Sequence, residues 1–176
     1  MVNSLGFTRC EVDQVVFFKL KSNDELTIIV VHVDDCTITG SSLALVMDQK
    51  KRVVEHVEVI DLGELHWLLG IEVKRDRETH TISLSQQSYI KSIIRHFGLK
   101  DSKPISTPMD PNTKISTSDN PSTGAQYAAM RNVPYCEAVE ALMYAMLGTH
   151  PDISFTVTIV SKFSSNPGMV HWEAVK

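Results

Sequence analysis

Asp34 and Asp35 are adjacent carboxylates that close the longest apolar run of the chain, residues 26–33, eight residues that include Thr27 and His32. Desolvating two neighbouring carboxylates together is costly unless a cation neutralises them. Carboxylate oxygens are the donors that Mg²⁺, a hard cation, takes. Two such ions, about 3.5–4 Å apart, clamp the attacking and leaving oxygens of a phosphoryl transfer. The same pair also suits a plain hairpin turn, where aspartate is favoured. The two residues alone leave both readings open. His66, His150 and His171 have no partner histidine at ligand spacing and read as surface or locally satisfied residues. Cys36 has no base beside it in sequence and reads as a small strand residue. A metal-dependent hydrolase of unrelated fold would need His or Glu ligands at helical or strand spacing, and the sequence offers none.

The second chemical feature is local charge. The chain has 176 residues, 17 Lys+Arg against 21 Asp+Glu, and a net charge of -4. Residues 1–84 carry 9 basic and 14 acidic side chains, and residues 104–176 carry 4 and 6. Between them, residues 85–103 hold Lys91, Arg95, Lys100 and Lys103 against Asp101 alone, a net +3 in an acidic chain. Such a segment is either a solvated helix face or a surface for phosphates. The acidic total argues against a self-sufficient, strongly basic nucleic-acid binder.

These groups must be positioned by elements of an ordinary globular chain: 43% hydrophobic and 22% charged residues, mean hydropathy -0.05. No apolar run reaches the roughly 18 residues of a membrane span, and residues 1–9 lack the pattern of a signal peptide. Cys10, Cys36 and Cys136, odd in number and widely spaced, read as reduced intracellular thiols. Residues 14–19 and 26–33 are rich in β-branched and aromatic types around a polar turn at residues 21–24, which predicts a hairpin. Its second strand is apolar on both faces and therefore central. A third strand over 36–39 follows, and then a helix with Ser42 as N-cap and Leu43, Met47, Lys50, Val54 and Val57 along one side, ending at Asp61-Leu62-Gly63. Residues 65–73 and 81–84 predict a second hairpin, and residues 86–97 an amphipathic helix with the stripe Tyr89, Ile90, Ile93, Ile94 and Phe97. Four prolines between 102 and 125, with many small polar residues, predict a linker or an exposed loop rather than core. Two helices close the chain, with Pro134 and Pro151 in first-turn positions. The order β-β-β-α-β-β-α, linker, α-α is of α+β class.

Eight stretches, in order and at family spacing, resemble the reverse transcriptase of copia-type LTR retrotransposon Pol polyproteins. They are Leu5-Gly6-Phe7 through Asp13 to Phe18-Lys19; Val31-His32-Val33-Asp34-Asp35; residues 61–73 around Trp67-Leu68-Leu69-Gly70-Ile71; Leu84-Ser85-Gln86-Gln87-Ser88-Tyr89-Ile90; Pro104 to Thr107-Pro108-Met109; Ala141-Leu142-Met143-Tyr144; Pro151-Asp152-Ile153; and His171-Trp172-Glu173-Ala174-Val175-Lys176. The resemblance implies a partial polymerase palm with a primer-grip-like hairpin over 1–84, a thumb-like helix over 85–103, a linker over 104–132, and a helical connection over 133–176 leading toward a ribonuclease H domain. By the same resemblance Asp34 and Asp35 are catalytic and hold Mg²⁺, two ions in the complete enzyme. Trp67, Leu68, Leu69 and Gly70 hold the growing strand's 3′ end, and Lys91, Arg95, Lys100 and Lys103 follow template–primer phosphates. Trp67 and Leu69 also read as sheet core in part, since gripping a strand and packing in a core do not exclude each other. The implied partners are an RNA template, a DNA primer, a deoxynucleotide and the remainder of the polyprotein, without a membrane. The implied setting is intracellular: the cytoplasm, in a virus-like particle for an intact element, or the nucleus.

The sequence also departs from the family pattern. His32 stands where tyrosine is usual, Ile60 where lysine is common, Glu140 in place of glycine and His150 in place of arginine. The family's third metal-binding aspartate and its fingers precede the Leu5-Gly6-Phe7 match. Two expectations follow: a polymerase domain that is inactive as this polypeptide alone, or a non-catalytic nucleic-acid-binding remnant of a degenerate transposable element.

Overall fold

The 26–33 run occupies the middle of an antiparallel sheet, as a strand apolar on both faces must. The structure is a computed structural model that describes residues 2–21, 24–110 and 113–176. Ser22 and Asn23 of the expected turn, and Pro111 and Asn112 of the expected linker, lie outside the described residues. The chain is a mixed α and β fold with two antiparallel sheets. It divides into two compact units, Met1–Leu65 and His66–Lys176.

In the first unit β1 (Thr8–Arg9), β2 (Val16–Leu20), β3 (Leu26–His32) and β4 (Asp35–Gly40) pair in that order. Phe17, Ile29 and Ile38 lie across from one another and share a face. That face meets Val2, Leu5, Phe7 and Val53 to form the core, in which Ile29 is fully buried. Val2 and Leu5 arrive on a 3₁₀ turn, Val2–Leu5, whose last carbonyl accepts from Lys19 Nζ at 2.9 Å.

Ser42 caps helix α1 (Leu43–Val54) as expected, its hydroxyl accepting from the Leu45 N–H at 3.3 Å. Two expectations for this helix are corrected. Its buried side is Leu45, Gln49 and Val53, whereas Leu43, Met47 and Val54 are exposed. Both faces carry apolar residues at helical spacing, so periodicity does not choose between them; packing on β4 does. The helix also stops at Val54, well before Asp61, amid β-branched residues that are poor helix formers. Asp61 instead accepts from Lys50 Nζ at 2.8 Å and from the Gly63 N–H at 2.9 Å.

The second unit opens with β5 (Trp67–Leu68), β6 (Ile71–Asp76) and β7 (Thr81–Ser85), paired in sequence order. The single strand expected over 65–73 is in fact two, because Leu69 and Gly70 turn the chain with φ of +50° and +79°. Both central residues at positive φ define the tight hairpin turn whose twist matches its strands. Helices α2 (Gln87–His96), α3 (Gly124–Met130), α4 (Tyr135–Gly148), α5 (Ser154–Ser161) and α6 (Met169–Val175) follow.

The division at Leu65–His66 differs from the boundary expected after residue 84, because the 67–85 hairpin clusters with the helices. The 104–132 segment is not a bare linker. It contains the 3₁₀ turn Thr117–Asp119 and α3, and it sends Met109 and Ile115 against the core of Tyr135, Val139, Val160 and Phe163. Beyond it, α6 adds a helix to the expected pair. Pro134 serves as the α4 N-cap, and Pro151 starts a 3₁₀ turn, Pro151–Ile153.

Candidate functional site

Asp34 and Asp35 occupy the tip of the β3–β4 hairpin. His32 pairs with Asp35, leaving Val33 and Asp34 as a two-residue loop. Val33 sits at φ +53°. Positive φ at the first central position suits a tight hairpin, where glycine is the usual occupant. For a β-branched residue the left-handed region costs roughly 1–2 kcal/mol. Both carboxylates are exposed. The register places the His32 side chain on Asp35's face of the hairpin. Next along β4, partial desolvation pushes the Cys36 thiol up, away from the reactive thiolate.

The donor chemistry of this tip suits a hard cation. Mg²⁺ is commonly held by one or two carboxylates plus substrate phosphates, and Asp34 and Asp35 provide that minimum. Among the described residues no group of three or more His, Cys, Asp or Glu side chains gathers to hold a metal. One ion completed by phosphate oxygens therefore fits; an all-protein cage for two does not.

The other predicted residues lie in the second unit. Trp67 shares a sheet face with Glu72 and Ser85, while Leu68, Ile71, Val73, Ile82 and Leu84 share the opposite, apolar face. Trp67 is 54% exposed and Leu69 49%, so neither is sheet core; Leu68 is half-buried. Gly70 carries the second positive φ of the turn. Lys91 and Arg95 project from the solvent side of α2, and Lys100 and Lys103 are exposed beyond it. None of the four takes part in an ion pair among the described residues. His96, in the same segment, is instead paired with Glu137 of α4 at 2.8 Å. The carboxylate tip thus belongs to one unit, and the hairpin and basic segment to the other.

Sequence reasoning missed the residues that hold this hairpin and α2 in place. Gln86, buried just before α2, donates to the Tyr144 carbonyl at 3.2 Å and accepts from Thr149 Oγ1 at 2.9 Å. A side chain at Gly148 would overlap Gln86. The Tyr89 hydroxyl donates to the Ala141 carbonyl at 3.1 Å. His171, read as surface or locally satisfied, is buried. Its Nδ1 accepts from the Gly168 N–H at 2.9 Å, so Nε2 carries the proton and donates to the Ser116 carbonyl at 3.1 Å. The ring also stacks on Phe163 with centroids 4.0 Å apart. Its motif therefore fastens the 113–120 segment to α6. Gln86 and Tyr89 lie in matched stretches and His171 opens a motif without a derivable chemical role, whereas Gly148 and Thr149 lie in no matched stretch and carried no sequence signal.

Comparison with known proteins adds an independent line. The model of the family described as "Reverse transcriptase (RNA-dependent DNA polymerase)" matches residues 1–111. The "Retrovirus-related Pol polyprotein from transposon TNT 1-94" of Nicotiana tabacum is 39% identical over 175 residues, which are 99% of this chain and 13% of that polyprotein. The "Retrovirus-related Pol polyprotein from transposon RE1" of Arabidopsis thaliana is 31% identical over 176 residues, 98% of this chain and 11% of that polyprotein. An uncharacterized mitochondrial protein of Arabidopsis thaliana is 32% identical over 152 residues, 84% of this chain and 58% of its own length. The chain thus spans about an eighth of the first two relatives. No solved structure matches it.

Proposed function

Because the chain belongs to the reverse transcriptase (RNA-dependent DNA polymerase) family, we infer that it is the C-terminal palm and thumb part of a polymerase that copies RNA into DNA. The observation that carries this reading is the Asp34-Asp35 pair at the tip of a two-residue hairpin, inside the matched residues 1–111. Asp34 and Asp35 would hold Mg²⁺, which when bound neutralises phosphate charge and polarises the reacting phosphoryl oxygens. The tight loop fixes where their oxygens stand, and the paired strands hold the loop. Trp67 and Leu69, exposed beside the Leu69-Gly70 turn, present apolar and aromatic surface to the primer's 3′ end. Aromatic faces stack on bases of any sequence. Lys91, Arg95, Lys100 and Lys103, without an ion pair among the described residues, supply positive charge along template–primer phosphates. Phosphoryl transfer leaves the protein little covalent chemistry; placing strand, nucleotide and charge is its share. The partners are an RNA template, a DNA primer, a deoxynucleotide and further polyprotein segments, in an intracellular setting.

Primer extension on an RNA template tests this reading. The 176-residue polypeptide alone brings two carboxylates and is expected not to extend the primer above an Asp34→Asn, Asp35→Asn control. Supplying an upstream fingers and palm segment from a relative is expected to produce extension that the double variant abolishes. Duplex binding without extension in that mixture would instead favour the non-catalytic binding reading, which the departure at His32 beside the carboxylates recommends as the alternative.

A further inference from the structure

The Leu69-Gly70 turn is held by more than its own ladder. Strand β5 has only two residues and two register pairs with β6. A hairpin this short frays unless something else fixes its tip. In this structure Tyr144, on α4, does so. Its hydroxyl donates to the Leu69 carbonyl. It also stands 3.1 Å from where a Cβ on residue 70 would be, which, together with φ +79°, accounts for glycine there. The Tyr144 ring meets Tyr89 edge-on, with centroids 4.7 Å apart and planes at 72°. Tyr89 is in turn bonded to the Ala141 carbonyl, one turn earlier on α4. The Tyr144 carbonyl takes the buried Gln86 amide. One helical residue, 75 positions away in sequence, thus fixes both the tip of the hairpin and the start of α2.

We propose that Tyr144 is a positioning residue for the primer 3′ end: it sets where the Trp67–Gly70 tip stands and thereby makes α4 part of the strand-holding apparatus. The proposal rests on the reading of that hairpin as the element that holds the strand end. Tyr144 itself touches the Leu69 backbone and leaves Trp67 and Leu69 exposed for the nucleic acid.

The test uses the 176-residue chain and two RNA–DNA duplexes of equal length, one with a recessed DNA 3′ end and one blunt, with affinity read by fluorescence anisotropy. The wild-type chain is expected to prefer the recessed end. Tyr144→Phe keeps the ring and its contact with Tyr89 but loses the hydroxyl. It should lower that preference by roughly three- to tenfold, the range for one hydrogen bond, with the affinity for blunt duplex unchanged. Amide hydrogen exchange at residues 68–71 should speed up in the variant while exchange in the Tyr135–Val160 core stays put. A wild-type chain without end preference would sink the hairpin reading and this inference with it. A wild-type preference that survives intact in Tyr144→Phe, or unchanged exchange at residues 68–71, would overturn the role of Tyr144 while leaving the hairpin reading standing.

Discussion

At the scale of single residues, Val33 carries the cost of the tight loop that presents Asp34 and Asp35. A branched side chain occupies a left-handed loop position beside two carboxylates. Backbone strain of this kind persists only where surrounding structure over-determines it, and it gathers at functional sites. Val33→Gly is expected to stabilise the first unit by about 1 kcal/mol, since relief of the side-chain clash exceeds the entropy a glycine adds to the unfolded chain; urea denaturation would show it. Tyr135 is the residue-scale counterpart in the second unit. Burial, reinforced by nearby Cys136, pushes its hydroxyl up to about 12 from 10.0, and that hydroxyl donates to the Val160 carbonyl at 2.7 Å. A raised folded-state value means that the neutral form is the one the fold favours. Its contribution is therefore fully present below pH 10 and is lost as the pH rises toward 12. Thermal melts should fall across that window in the wild-type chain and more weakly in Tyr135→Phe.

At the scale of elements, α2 shows how one short helix serves two surfaces. Tyr89, Ile90, Ile93 and Phe97 are partly buried, as their spacing predicted, whereas Ile94 of the same expected stripe is exposed, and Lys91 and Arg95 face solvent. A solvated face and a phosphate-binding face look alike in an unliganded helix; salt separates them. Releasing counterions from duplex phosphates gives a log–log salt slope of about -0.9 per phosphate contacted. Changing Lys91, Arg95, Lys100 and Lys103 together to Ala should make the slope for RNA–DNA duplex binding shallower by up to roughly 3 to 4. An unchanged slope would return them to a solvated face. The 104–132 segment teaches the opposite lesson about composition. Its prolines and small polar residues read as linker, yet Met109, Ile115 and the His171–Ser116 bond fasten it to the helical core. Sparse apolar residues carry no period, so a pattern search passes over them.

At the scale of the whole molecule, two units each carry their own core. Separate cores predict separate unfolding, so one two-state transition should not describe the chain. Calorimetry is expected to resolve two transitions. Val53→Ala, which opens a cavity in the first core, should lower one of them by about 2 kcal/mol. Tyr135→Phe should shift the other. A single transition moved equally by both variants would contradict this division.

What the sequence by itself determined was local and chemical. It marked the central strand by its long, mostly apolar run, the Ser42 cap by residue type and position, and Asp34-Asp35 by adjacency at a strand end. The family, too, was legible in eight short motifs in order. Tertiary structure decided what depends on partners distant along the chain. Which of two apolar sides of α1 turns inward depends on what β4 presents, so Leu45, Gln49 and Val53 are buried rather than Leu43, Met47 and Val54. The break of the 65–73 strand, the capture of the Leu69 carbonyl by Tyr144 and the burial of Gln86 and His171 follow the same rule. A polar side chain reveals its hydrogen-bond partner only when folding brings that partner within about 3 Å, and spacing along one chain carries no record of such a meeting.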